Sequence, residues 1–280
     1  MSVLVFGEKG FVASNLILKF KKKKIKFESI SQRKINLLKK ISLNKKKKFS
    51  NLKKINSIIF ISAIAPAKNL NILNKNIIIL QNALDLIKDL KFNQLIYISS
   101  DAVYSDSMRP LKENSERLPK NFHGQMHNIR EEILKLYFSE KICILRPSLL
   151  YGYNDTHNGY GPNKFFRELK KKKILNLFGN GEEKRDHVLI DDLIDIISLC
   201  IKNNTRGTFN VSSGNLISFY KIAVLLKNKF DVKTKIIKNK RVGRMPHNGY
   251  RPISNKKVLK EFKSLKFNKF NTGIKTYEKN

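Results

Sequence analysis

Hydrophobic and polar positions follow two rhythms along the chain. Residues 3–6 (VLVF), 58–61 (IIFI), 95–98 (LIYI) and 142–145 (ICIL) are continuous apolar runs of strand length. Runs without a polar face predict strands covered on both sides, as in a parallel sheet. Between them, residues 12–20, 77–90 and 129–138 place apolar side chains three or four apart, which predicts amphipathic helices. A weaker strand is expected over residues 25–30. Strand, helix, strand, helix in alternation predicts an α/β fold with a doubly wound parallel sheet. After Pro147 the rhythm fades. Residues 151–188 read as loop-rich, with Gly152, Gly159, Gly161, Gly179 and Gly181. Residues 188–201 then read as a helix, 208–211 as a short strand, and 214–280 as a further mixed segment.

Composition narrows this picture. With 280 residues, 41% of them hydrophobic, the chain can bury one large domain, or one domain and a small lobe. No stretch approaches the roughly 18 apolar residues of a membrane span. The opening MSVLVFGEKGF lacks the basic and apolar regions of a signal peptide. Cys143 and Cys200 sit among apolar residues, which suits buried thiols in a reducing cytoplasm. The formal net charge is +35, with lysine runs at 21–24, 45–48 and 170–173. These runs match no nucleic-acid motif and carry few interleaved Arg or aromatic residues. They read as solvated loops in a chain rich in Lys, Asn and Ile, residues that share A/T-rich codons. No specific nucleic-acid partner is expected, only non-specific polyanion binding at low salt.

The first strand runs directly into Gly7-Glu8-Lys9-Gly10-Phe11-Val12-Ala13. Glycines there permit a tight turn and close backbone approach, and the following helix offers free N–H groups to a pyrophosphate. Gly7, Gly10, Phe11 and Val12 are therefore candidate cofactor contacts. Further motifs follow in order: Ile98-Ser99-Ser100-Asp101-Ala102-Val103-Tyr104, Leu145-Arg146-Pro147, Tyr151-Gly152, Phe178-Gly179-Asn180-Gly181, Arg185-Asp186-His187-Val188 with Asp191-Asp192, and Phe209-Asn210-Val211-Ser212-Ser213-Gly214.

This series resembles the extended short-chain dehydrogenase/reductase family, and within it the NAD-dependent epimerase/dehydratase branch acting on nucleotide sugars. The resemblance covers nearly the whole chain. It implies a Rossmann domain over residues 1–150, rejoined by about 189–212, with 151–188 and 213–280 as a smaller C-terminal substrate lobe. It implies hydride exchange between a nicotinamide and a sugar carbon, in cytoplasmic synthesis of surface-polysaccharide precursors. A homodimer formed through the catalytic helix would also be in keeping with the family. Ser100 matches the Ser/Thr that orients the reacting oxygen, and Asp101 follows it as in sugar reductases and 4,6-dehydratases. The Glu usual next in dehydratases is replaced by Ala102, which weighs against a 4,6-dehydratase.

The family's catalytic helix reads Tyr-Gly-x-Ser-Lys-x-x-x-Glu, whereas this chain has His123-Gly124-Gln125-Met126-His127-Asn128-Ile129-Arg130-Glu131. Gly124 and Glu131 set the register, so His123 stands in the tyrosine position and His127 in the lysine position. Three readings stay open. His123 is the acid/base, since an imidazole titrates near pH 6.5, with His127 bonding the nicotinamide ribose. Or the site binds cofactor with impaired turnover, in a regulatory or scaffold protein. Or the pair binds a metal, for which a third ligand and a general base would be needed. Nothing in the sequence brings His157 and His187 to the pair, and no metal is expected.

Other positions follow from the same resemblance. Ser62, Ala63, Ser99 and Pro147 are expected at the cofactor groove. In place of the ribose-binding Asp or Glu after the second strand the chain has Ser31-Gln32-Arg33-Lys34. Arg33 could pair with a 2′-phosphate, which leans the cofactor from NAD towards NADP; the bland alternative is a solvated basic turn. Glu28 comes earlier, within the strand. On the nucleotide-sugar side, Asn76, Tyr104, Asn163, Arg185 and Arg251 are candidates. Asn76 otherwise reads as a helix-start residue, and Arg185 as a partner of Asp186 or Asp192. Residues 161–165 (GPNKF) resemble a loop closing over the nucleotide sugar.

Overall fold

The computed structural model describes residues 2–50, 55–155 and 159–278; His157 lies outside them. The buried apolar runs form strands β1 (Ser2–Phe6), β3 (Ile55–Phe60), β4 (Gln94–Ile98) and β5 (Ile142–Pro147), and β2 (Lys26–Ile30) and β9 (Gly207–Val211) complete a parallel sheet at its edges. They assemble in the order β2-β1-β3-β4-β5-β9. Helices α1 (Phe11–Lys22), α2 (Leu43–Ser50), α3 (Leu70–Ile87), α4 (Phe122–Phe138) and α6 (Ile190–Asn203) fill the connections. Side chains alternate across a strand, so each strand feeds two layers. Leu4, Phe6, Ile58, Phe60, Leu95 and Tyr97 pack with Leu80, Ala83 and Ile87 of α3 and Leu134 of α4. On the opposite face, Cys143 of β5 meets Cys200 of α6, with their Sγ atoms 3.8 Å apart. Lys19 of α1 pairs with Asp195 of α6 at 2.7 Å. Helices on both faces of a parallel sheet make the fold doubly wound.

Two of these helices begin seven residues before their apolar rhythm does. Asn69 caps α3, its side chain accepting from the Ile72 N–H, and Asn121 caps α4, accepting from the Gly124 N–H. An Asn cap satisfies an otherwise free backbone donor, which fixes each helix start ahead of the apolar rhythm. The helix-start role read for Asn76 thus belongs to Asn69, and Asn76 lies inside the helix.

Residues 151–188 are more regular than the fading rhythm implied. They contain β6 (Leu149–Tyr151), α5 (Pro162–Lys172), β7 (Ile174–Phe178) and β8 (Lys184–Leu189). The 161–165 stretch read as a closing loop is the start of α5, with Pro162 in the first turn and Gly161 before it. Proline at that position has no backbone donor to waste and a preset φ. Further along lie β10 (Leu216–Ser218), α7 (Phe219–Phe230), β11 (Lys235–Asn239), β12 (Tyr250–Arg251), α8 (Lys256–Glu261) and α9 (Phe270–Gly273), with short 3₁₀ turns over Pro246–Gly249 and Ile274–Glu278.

The lysine runs lie mostly on helices rather than loops. Lys21 and Lys22 end α1 with Lys23 and Lys24 in the turn after it, 45–48 lie in α2, and Lys170–Lys172 end α5 with Lys173 as its C-cap. Lysine is a good helix former, and cations suit helix C-termini. No helix among the described residues is long and apolar enough to cross a membrane.

The chain separates into two compact units. One comprises Met1–Ser105, Asn114–Arg146 and Ile194–Phe209, and the other Asp106–Glu113, Pro147–Leu193 and Asn210–Asn280. The second has its own core, in which Phe165, Leu175, Leu177, Phe219, Ile222 and Leu226 are buried together.

Candidate active site

In the first unit, the segments leaving the carboxyl ends of β1, β2 and β3 bound a groove of about 540 Å³. Gly7, Gly10, Ser31, Arg33, Ser62 and Ala63 line it. Gly7 has φ +121°, a conformation that L side chains rarely adopt. Gly10 precedes α1 without a side-chain cap, and no acidic residue occupies that helix's first turn. The first N–H groups of α1, which begins with Phe11 and Val12, are therefore left for an outside acceptor. A Cβ placed on Gly10 would meet nothing within 4 Å, so backbone and groove are open to each other. These features fit the pyrophosphate of a dinucleotide. Glu28 lies within β2, opposite Leu4 of β1, while Arg33 lines the groove itself.

The loop after β3 is held from behind. Asn76 is fully buried. Its Oδ1 accepts from the Ile64 N–H and its Nδ2 donates to the carbonyls of Ile64 and Ile72, each at 2.9 Å. The amide is thus committed to backbone, and it shapes the groove wall.

Ser99 and Ser100 leave the end of β4. Ser100 starts a short 3₁₀ turn over Asp101–Val103, its Oγ accepting from the Ala102 N–H at 3.1 Å and lying 3.4 Å from Asp101 Oδ1. Helix α4 reaches this turn because Gly124 has no side chain. A Cβ at Gly124 would lie 2.2 Å from the Ala102 carbonyl oxygen and 2.5 Å from Pro119 Cβ. Gly124→Ala is therefore expected to lower unfolding free energy by roughly 1–3 kcal/mol, read by denaturant titration. A wild-type midpoint would show that the helix does not depend on this contact.

His123 and His127 lie one turn apart on α4, with ring centroids 4.8 Å apart and planes at 83°. His123 Nδ1 is 3.5 Å from the Ala67 N–H. His127 is buried, and its Nδ1 lies 2.7 Å from the Tyr97 hydroxyl. Burial, then His123 and Arg130, hold its pKa well below the usual imidazole value. His127 is therefore neutral at pH 7 and carries no ammonium-like charge. Among the described residues, no group of three or more His, Cys, Asp or Glu could hold a metal ion. His187 lies in the second unit, buried against Phe219 and Phe270.

Below the histidines runs a buried ionic network. Glu131 takes two bonds from Arg146, at 2.9 and 2.5 Å, and one from Ser99 Oγ at 2.5 Å. Arg117 adds a contact at 3.2 Å. Arg146 Nη1 donates to the Tyr104 hydroxyl at 2.7 Å. Burial opposes the Arg146 charge, but the Glu131 carboxylate outweighs it and raises the guanidinium above its ordinary value. Ser99 and Tyr104 are thus tied to the same carboxylate-guanidinium pair that joins α4 to β5, which ends at Pro147. Neither Arg130 nor Tyr97 stands out as a motif. Arg130 is signalled by the helical stripe Met126, His127, Arg130, Leu134 and Phe138, all buried on one face of α4, and Tyr97 by its place in the apolar run of β4.

In the second unit, Arg185 of β8 and Arg251 of β12 are direct neighbours in register. Arg185 Nη1 bonds Glu183 at 3.1 Å, rather than Asp186 or Asp192. Arg251 bonds Asp106 at 3.1 Å, and His247 contacts both. Asp186 instead fastens the turn after β9, accepting from Ser148, from the Ser213 N–H and hydroxyl, and from the Asn215 N–H. Asn163 accepts from the Gly152 N–H at 3.1 Å, bonds Asp155 at 2.5 Å, and contacts the Tyr277 hydroxyl. Its amide holds the start of α5 to the loop after β6.

Comparison with known proteins places this geometry. The model of the NAD dependent epimerase/dehydratase family matches residues 3–212. ADP-L-glycero-D-manno-heptose-6-epimerase of Brachyspira hyodysenteriae is 26% identical over 209 residues, 70% of this chain. The chain spans 60% of one curated relative's length and 65% of another's. Among solved structures, UDP-glucuronic acid 4-epimerase of Bacillus cereus, in complex with UDP-glucuronic acid and NAD, superimposes with TM-score 0.83 at 19% identity, covering 99% of this chain and 97% of that one. GDP-L-fucose synthetase of Naegleria fowleri bound to NADP gives TM-score 0.83 at 16% identity, covering 98% and 90%. At such identities the structural likeness speaks for the fold alone. The family model spans three quarters of the residues, from the first strand through β9, and on that match the chain belongs to the NAD dependent epimerase/dehydratase family.

Proposed function

We propose that the groove of the first unit binds NADP or NAD, and that the chain exchanges a hydride with one carbon of a nucleotide-activated sugar. The nicotinamide, when bound, supplies the hydride acceptor and donor. The chain's own residues do the rest. The α1 N-terminus, with Gly7 and Gly10, holds the pyrophosphate, and Ser62 and Ala63 line the wall. Arg33 holds a 2′-phosphate, which favours NADP. Ser100 orients the reacting oxygen, with Asp101 beside it, and His123 takes up and returns the proton. His127, neutral, donates one N–H to a ribose hydroxyl. Arg185 and Arg251 are proposed to meet the diphosphate, for which paired guanidinium donors are suited. Asn76 shapes the groove wall through Ile64 and Ile72, Ser99 and Tyr104 are held by Glu131 and Arg146, and Pro147 and Asn163 are proposed contacts of the cofactor and the sugar nucleotide.

The observation that carries this reading is the close approach at Gly124. It brings the start of α4, with His123, against the turn that begins at Ser100, at the same strand ends where the groove opens. Ligands of open parallel sheets bind at that edge.

The test incubates the protein with each cofactor and a panel of nucleotide sugars, following nicotinamide absorbance and identifying the sugars by NMR. A sugar altered at one carbon is expected. Cofactor bound with every sugar recovered unchanged would favour the second reading, a binding module without turnover. That reading draws on one observation: neither catalytic helix position carries a phenol or a fixed cation. Cofactor choice has its own test. Arg33→Ala is expected to weaken NADP roughly tenfold, the worth of one charge-assisted bond, and leave NAD unchanged by calorimetry. Tighter NAD than NADP binding by the unaltered protein would refute the assignment.

A further inference from the structure

We propose that Arg130 and Tyr97 act as positioning residues that hold His127 as a neutral imidazole with its proton on Nε2, making this helix position a fixed N–H donor. The inference rests on the proposed function only for what that donor meets, a cofactor hydroxyl.

The geometry begins with Arg130. Its side chain is fully buried, and no ion pair forms to it among the described residues. Nη2 donates to the Ser62 carbonyl at 3.0 Å, the guanidinium lies 4.9 Å from the Phe60 ring centroid, and Nε has no hydrogen-bond partner. A guanidinium has donors only. It therefore offers the phenol no acceptor, and Phe60 stacks on Tyr97 with ring centroids 5.8 Å apart, which sets Arg130 and Tyr97 in one buried cluster. Tyr97 is buried too, and burial, opposed by Arg130, keeps the phenol protonated. Its proton must therefore point to another acceptor, and His127 Nδ1 lies 2.7 Å away. A ring that accepts at Nδ1 and stays neutral carries its proton on Nε2.

The surrounding charges agree. From α4, His123, Arg130 and Glu131 face this centre, and from β4, Tyr97. Glu131 is already bound by Arg146, Arg117 and Ser99. The cation near His127 is thus Arg130, and it opposes a second cation on the ring. The proposed proton transfer is left to His123. The chain has separated a fixed charge and a donor onto two adjacent residues of one helical stripe.

The test records long-range ¹H–¹⁵N correlation spectra of the imidazoles between pH 4 and 8, on cofactor-free protein. The expected result is a single Nε2–H tautomer for His127 that does not titrate near neutral pH. Tyr97→Phe removes the donor to Nδ1 and is expected to give a mixture of tautomers. Arg130→Met is expected to raise the His127 titration by about one pH unit or more, while Arg130→Lys keeps the charge and the low midpoint. A wild-type ring protonated on Nδ1, or either Tyr97→Phe or Arg130→Met with the wild-type His127 pattern, overturns the proposal. If Arg130→Met does not fold, Tyr97→Phe, which removes one hydroxyl, decides it. Failure of the wild-type protein to bind cofactor would refute the functional reading and leave these spectra unaffected.

Discussion

Turnover is expected to fall by roughly 10²–10⁴-fold in His123→Ala, the usual contribution of one acid/base group, with cofactor affinity unchanged. Two features separate His123 from its neighbour. His127 is buried, held neutral and engaged by Tyr97 at 2.7 Å. His123 is partly exposed at the first turn of α4, beside the turn that Ser100 opens. An imidazole with access to solvent can take a proton and return it at neutral pH; one locked beneath it cannot. Steady-state kinetics on the sugar identified by the panel, with cofactor binding by calorimetry, provides the measurement. Full turnover in His123→Ala would remove the acid/base role. Loss of cofactor binding in that variant would make the residue a structural part of the groove.

The largest expected effect on stability is at Glu131. Glu131→Ala is expected to cost about 3–5 kcal/mol, because it leaves Arg146 buried without its carboxylate. Arg146 is 1% exposed and Glu131 0%, so water cannot substitute. The same change frees Ser99 and removes one of the two carboxylates on Arg117, whose second, on Glu132, is half exposed. Glu131→Gln keeps the shape and should lose less. Urea unfolding followed by far-UV circular dichroism measures both; a cost below about 1 kcal/mol in Glu131→Ala, the value of an exposed pair, would show that the network is not held as described.

Much of the fold was legible because its strands are buried on both faces. Such strands must be apolar throughout, and β1, β3, β4 and β5 announce themselves as short continuous runs. The glycine loop was legible for a related reason, since close backbone approach admits few residue types. The register of α4 could be read from Gly124 and Glu131, one needed for contact with the turn at Ala102 and the other for its bond to Arg146. The second unit was less legible. Its helix α5 carries three lysines in its last turn and a fourth as its C-cap, and its strands β7 and β8 mix exposed and buried positions, so neither period stands out. Helix starts at Asn69 and Asn121 lie ahead of the apolar rhythm, where capping rather than burial sets the boundary.

By itself, then, the sequence determined the doubly wound sheet, the glycine turn that follows β1, and the spacing of His123 and His127 on one helix. These depend on local patterns: apolar runs, small residues and fixed spacing. Only the tertiary structure decided the surroundings of the two histidines. Residues from β4 and α4 enclose His127, remove its water and set Arg130 and Tyr97 against it. Protonation depends on that surrounding rather than on residue type, because desolvation and neighbouring charge act through space and not along the chain.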